Sequence, residues 1–144
     1  MREAPVFPSD KLTIISWPGE NTAPLGHDAR ARYVETFWLG VLGPSATWLL
    51  RRCADELEAS PNGFVMNMTE VAQSIGVGGL GKNSPFVRAL GRLVKFELAQ
   101  LQSPGVLAVK RFVPSLSRRH VTRLTPALQQ RHDFWESRQL THVS

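Results

Sequence analysis

Hydrophobic and polar positions alternate with a helical period along much of this chain, and the period is cleanest over residues 85–96. At about 100° per residue, Phe86, Leu90, Leu93 and Val94 fall on one face and Arg88, Arg92 and Lys95 on the other. Ser84 before Pro85 supplies an N-cap side chain and a residue preset for the first helical turn, so the helix is expected to start there. A second period runs over residues 44–59, with Trp48, Leu49, Cys53 and Leu57 apolar and Arg51, Arg52, Asp55, Glu56 and Glu58 on the wet side. Gly43-Pro44 separates it from a helix through ARARYVETFWLGV, for which Asp28 is the expected cap.

Shorter elements fill the gaps. Ser60-Pro61-Asn62-Gly63 reads as a turn and Phe64-Val65-Met66 as a short strand. Asn67 with Glu70 three residues on approaches a capping box, so a short helix is expected over MTEVAQSI, stopped by Gly76. LAQLQ and VLAVKRFV flank Ser103-Pro104-Gly105, where Pro-Gly favours a type II turn, and the pair reads as a hairpin ended by Pro114. Ser117 and Thr125-Pro126 announce two last helices, over about 118–124 and 126–139. Residues 1–27 differ: Pro5, Pro8, Pro18 and Pro24 exclude a long helix, and apart from a short strand at LTIISW the segment is read as an extended arm. No internal repeat or low-complexity tract is seen.

In order, then, come a helix, a short strand, a short capped helix, a turn, a cationic helix and a two-stranded hairpin. Over residues 44–113 this order resembles the winged helix-turn-helix superfamily. NMTEVAQSIGV is similar to the first helix of the turn motif, SPFVRALGRLVKFE to its recognition helix and LAQLQSPGVLAVKRFV to its wing. One feature departs from the pattern: the link from Gly76 to Asn83 is longer than the three or four residues usual between such helices. The resemblance implies a mainly α fold with a small β-hairpin (α+β), carrying an N-terminal arm (1–27), a winged domain with a leading helix (28–113) and a C-terminal helical extension (114–144). It also implies a DNA-binding protein, a transcriptional regulator without catalytic activity.

Charge agrees with that expectation. The net charge is +5, and residues 80–144 alone carry eleven basic and three acidic side chains, whereas residues 28–79 carry four and six. A chain polarised in this way is expected to hold a polyanion against its C-terminal half. Arginine can give guanine O6 and N7 two parallel hydrogen bonds in the major groove, which makes Arg88 and Arg92 the candidates for base contact. Lys82, Asn83, Ser84 and Lys95 are candidates for phosphate or base-edge contact at the same helix. Lys110 and Arg111 are adjacent in a strand and point to opposite faces, so at most one can join them. The hairpin tip is uncharged. Arg118, Arg119 and Arg123 are either backbone contacts or a solvated face.

Other chemistry fits less well. GVGGLGKNS, residues 76–84, matches the G-x-x-x-x-G-K opening of a phosphate loop, but Asn83 stands where Ser or Thr should hold magnesium and the lead-in reads as a capped helix. His27, His120, His132 and His142 show no ligand spacing with one another or with Cys53, so no metal or cofactor is expected. Trp17, Trp38, Trp48 and Trp135 are expected in the core or in dimer contacts. One cysteine allows no internal disulfide, and the apolar runs are shorter than the roughly 18–20 residues of a membrane span. The N-terminal MREAPVFPSDKL has no apolar core like a secretory signal, and a cytoplasmic setting with no membrane contact is expected. Beside double-stranded DNA, two partners are compatible with the pattern: a second copy of the chain, or a protein docking on the acidic 28–79 half through Phe37 and Trp38. The second would make the chain a protein-interaction module without direct DNA binding. RNA ranks behind both, because no aromatic residues are interleaved with the basic ones.

Overall fold

Leu12 and Ile14 are fully buried while Lys11 between solvent and chain is exposed, the alternation of a strand with one face on a core. The computed structural model, which describes residues 10–20, 26–78, 81 and 83–143, with side chains to 138, places that strand, β1 (Lys11–Ser16), inside a four-stranded sheet. It lies antiparallel to β3 (Phe64–Asn67) and parallel to β5 (Val106–Val109), and β4 (Ala99–Ser103) pairs antiparallel with the far side of β5, giving the order β3-β1-β5-β4. The described part of residues 1–27 is therefore not an arm set apart from the domain. Leu12 and Ile14 supply core side chains, and the β1 backbone fills the space between β3 and β5 that the expected hairpin alone would leave unpaired. Residues 1–9 and 21–25 of the expected arm lie outside the described residues.

The hairpin is shorter than the run VLAVKRFV suggests. Gly105, at φ 79°, makes the expected Pro-Gly turn. After Val109 the strand breaks, and β6 (Phe112–Val113) pairs instead with β2 (His27–Asp28) in a separate two-stranded ladder. The break has a cause: the buried carboxylate of Glu20 accepts the N–H groups of Arg111 (2.8 Å) and Phe112 (3.1 Å), which takes those donors out of the first ladder. Asp28 consequently sits in β2 and is not the cap of the following helix; its Oδ1 accepts the N–H of Arg30, two residues on.

Helices pack on the sheet and on one another. A π-helical stretch, Val34–Trp38, leads into α1 (Leu39–Leu42), and α2 (Pro44–Ala59) follows after Gly43. Next come α3 (Met68–Ser74) and α4 (Pro85–Lys95), with α2 packed on α4 and on β1. Among the apolar positions of α2, Leu49, Cys53 and Leu57 are fully buried, but Trp48 is 54% exposed, with the Arg51 guanidinium over its ring at 5.2 Å. Burial raises the Cys53 thiol to about 12, which keeps it protonated at neutral pH and removes it as a nucleophile.

Helix ends follow their local chemistry. Asn67 accepts the N–H of Glu70 (2.9 Å), Ser84 that of Val87 (3.3 Å) and Ser117 that of His120 (3.3 Å). The C-terminus of α3 closes in a Schellman motif: Gly76, at φ 82°, donates to Gln73 and Val77 donates to Ala72. The end of α4 uses the same motif, with Glu97 donating to Val94 and Leu98 to Leu93, yet the left-handed position holds Glu97 at φ 60°. A left-handed non-glycine residue costs about 1–2 kcal/mol, partly offset here by the unfolded-state freedom that glycine would add. Glu97→Gly is therefore expected to raise stability by about 0.5 kcal/mol in urea titration, and to raise affinity for a polyanion by removing an acid two residues beyond Lys95.

The C-terminal segment shares the core. Leu116 is buried, and the Trp38 indole donates to the Pro114 carbonyl (2.9 Å). The helix α5 (Arg118–Val121) is shorter than expected, and α6 (Pro126–Val143) is longer. α6 docks through His132, buried with its Nε2 2.7 Å from the Tyr33 hydroxyl oxygen, and that oxygen accepts the N–H of Leu116 (2.8 Å). His27 stacks on Tyr33 at 3.9 Å and Trp135 leans on it at 4.8 Å. Phe37 and Trp38, offered above as a docking surface, are 3% and 4% exposed and belong to the core. Among the described residues no helix is long and apolar enough to cross a membrane.

Candidate nucleic-acid interface

The amphipathic pattern of α4 decides where its cations go. Phe86, Leu90 and Leu93 are buried against α2 and the sheet, so Arg88, Arg92 and Lys95 are turned outward, and all three are exposed. Arg92 and Lys95 stand in the last turn, where positive charge complements the helix dipole. Arg88 stands in the second turn without that compensation, four residues from Arg92, a like-charge spacing that costs a few tenths of a kcal/mol. Its backbone N–H donates to the Ser84 carbonyl (3.0 Å), but among the described residues its side chain has no hydrogen-bond or ion-pair partner.

Arg92 is partly committed. Its Nη1 donates to the Leu42 carbonyl at 3.0 Å, satisfying one of the acceptors left at the end of α1, and its remaining N–H groups stay available. Arg88 and Arg92 together line a cleft of about 310 Å³ that opens beside Pro44 and Ser45, the first turn and positive dipole end of α2. The sequence pattern missed this neighbour. Its signal was Gly43-Pro44, a helix start whose backbone donors have no intrahelical partner. Ser84 Oγ caps α4 by accepting from Val87, which leaves its O–H as a donor, and Asn83 is exposed just before it. Lys82 lies outside the described residues.

Two aromatic contacts decide which other cations join this surface. The Lys95 ammonium lies 5.6 Å from the Phe96 ring centroid, and His120 of α5 meets the same ring at 5.6 Å. Phe96 thus brings α5, with Arg118 and Arg119 exposed, beside the end of α4. The hairpin cations are placed differently: Lys110 lies over Trp17 at 4.6 Å and Arg111 over Phe112 at 5.6 Å. Both are half-buried on those rings, so neither extends the α4 stripe as an outward-pointing cation.

The contrast with the first half of the chain is one of pairing. Arg30 contacts Asp28, Asp55 and Glu58, and Arg51 contacts Glu35 at 2.8 Å. The hydrogen bond from Arg30 is the largest of the effects that hold the Asp28 carboxyl below its ordinary range, and Arg30 is itself held above its own. Those charges are internally neutralised. Among the described residues no carboxylate is paired with Arg88, Arg92, Lys95, Arg118 or Arg119. The segment leading into the glycine-rich stretch at 76–84 is helix α3, where a phosphate loop requires a strand. Comparison of the chain with protein-family models, with curated proteins and with solved structures finds no match.

Proposed function

We propose that the chain is a sequence-specific DNA-binding protein, a transcriptional regulator, that lays α4 in the major groove. The observation that carries this reading is the outward stripe of Arg88, Arg92 and Lys95, unpaired by any carboxylate among the described residues while Arg30 and Arg51 are neutralised. The order α2, β3, α3, α4, β4, β5 supports the winged helix-turn-helix resemblance, with β1 as an additional strand between β3 and β5. In this reading Arg88 and Arg92 contact base edges, Asn83, Ser84 and Lys95 fix register on phosphates, and Arg118 and Arg119 reach the adjoining backbone. Lys110 and Arg111 are left out of the first layer of contacts because their rings hold them.

Binding to duplex DNA measured against salt tests the reading. Each neutralised phosphate contributes about −0.9 to the slope of log affinity against log salt, so three or more contacts predict a slope of about −3 or steeper. Fluorescence anisotropy on a short labelled duplex reads it, and no detectable binding at low salt overturns it.

One observation favours a second reading, a protein-interaction module. Trp48 is 54% exposed beside a cleft of about 280 Å³ lined by Arg52, Ser74 and Ile75, an aromatic anchor of the kind that dominates interfaces. A partner captured by the wild type and lost with Trp48→Ala, in a protein without duplex affinity, selects it.

A further inference from the structure

A further cleft, larger than the two described above, belongs to neither surface. It lies between the π-helical turn and α6 and encloses about 780 Å³, within the roughly 300–1,000 Å³ typical of small-molecule sites. Its walls are aromatic: Tyr33 and Phe37 from the N-terminal side, Phe134 and Trp135 from α6. Phe134 is 65% exposed, although the rings beside it are packed together, with Tyr33 5.0 Å from Phe37 and 4.8 Å from Trp135. A large apolar side chain exposed next to a packed aromatic wall is the kind of surface that marks a ligand-binding groove.

The rim identifies the occupant's charge. Arg32, Arg131 and Arg138 line the cleft, and among the described residues no carboxylate does. Of the acids of α6, Glu136 stands 3.5 Å from His132 Nδ1 and Asp133 is exposed, and neither lines the cleft. Among the described residues none of the three guanidiniums makes an ion pair, and the one that touches an aromatic ring, Arg138, stands 5.8 Å from the centroid of Phe134. A second copy of the chain is a poor occupant, since two-fold pairing of this face would set its three cleft arginines against three arginines. We propose that the cleft binds a small organic anion with a flat apolar body, an aryl carboxylate, sulfonate or phosphate, whose ring lies between Tyr33, Phe37 and Phe134 and whose anionic group meets Arg131 and Arg138.

The site does not depend on the DNA reading, and failure of duplex binding leaves it standing. The probe is 1-anilinonaphthalene-8-sulfonate, compared with its uncharged relative N-phenyl-1-naphthylamine. The sulfonate is expected to bind saturably with one site per chain, and about tenfold more tightly than the neutral compound. Arg131→Gln with Arg138→Gln should lower sulfonate affinity by about tenfold and leave the neutral compound nearly unchanged, and Phe134→Ala should weaken both several-fold. All three side chains are exposed, and an unchanged thermal midpoint certifies that the variants fold. Equal affinity for the two probes, several sulfonate sites, absence of binding, or an affinity insensitive to the double arginine change each overturns the proposal. Displacement of the probe by an oligonucleotide overturns it too, by assigning the cleft to a nucleic-acid path.

Discussion

Replacing Arg88 with alanine is expected to weaken binding to the preferred duplex by about 1–3 kcal/mol, to relax the preference at one base position, and to leave the fold untouched. The expectation rests on what Arg88 does not do in the free protein. Its side chain is exposed on α4 with no hydrogen-bond or ion-pair partner among the described residues, so its removal takes away no side-chain hydrogen bond or ion pair. Arg92→Ala should cost a similar amount, but its reading is mixed, because the same change frees the Leu42 carbonyl that Arg92 now satisfies. A small loss of stability, of about 0.5–1.5 kcal/mol for one hydrogen bond, should accompany it. Lys95→Ala differs in kind: a phosphate contact lowers affinity for all sequences alike and reduces the magnitude of the salt slope by about 1. Arg51→Ala is the matched control, an arginine already neutralised by Glu35, and should leave DNA affinity unchanged. Anisotropy titrations on the preferred duplex and on single-base variants separate these outcomes. Unchanged affinity and preference in both Arg88→Ala and Arg92→Ala would remove α4 as the reading helix.

What could be read from the sequence was what short-range chemistry determines. The caps at Asn67, Ser84 and Ser117, the Pro104-Gly105 turn and the split of α4 into an apolar and a cationic face each depend on residues within one or two helical turns. What could not be read depends on partners far along the chain. β1 pairs in parallel with β5, whose residues lie some ninety positions later, and no local pattern distinguishes a strand that joins a sheet from one in an arm. The break of the hairpin at Lys110 needs Glu20, and the burial of Phe37 needs His132, at 4.8 Å. Trp48 errs in the other direction: helical spacing put it with the core, but only packing decides which edge of an apolar stripe is covered. The candidate site shows the same division, since the exposure of Arg88 was local and the tether of Arg92 to Leu42, fifty residues away, was not.

The position of β1 makes a second large effect testable. Ile14 is fully buried, faces Leu107 across the parallel ladder and Phe64 across the antiparallel one, and lies beneath the helical layer with Leu12. Truncation to alanine removes three methyl or methylene groups from a packed interior and leaves a cavity that strands paired on both sides cannot close. The expected loss is about 2–5 kcal/mol, a large part of the roughly 5–15 kcal/mol by which domains of this kind are held folded. Thr13 is the internal control. It is the next residue of the same strand, half-buried on the opposite face, and its N–H is held by the Gly105 carbonyl at 2.8 Å whatever its side chain. Thr13→Ala should cost under about 1 kcal/mol. Urea unfolding of the two variants therefore discriminates between a core strand and a peripheral arm: an arm predicts small, equal losses, and a central strand predicts losses differing by several fold. Equal losses, or less than about 1 kcal/mol for Ile14→Ala, would return β1 to the periphery. Because Ile14 is core and the α4 cations are surface, the fraction of Ile14→Ala that stays folded should bind duplex DNA with wild-type affinity, which separates loss of fold from loss of site in one sample.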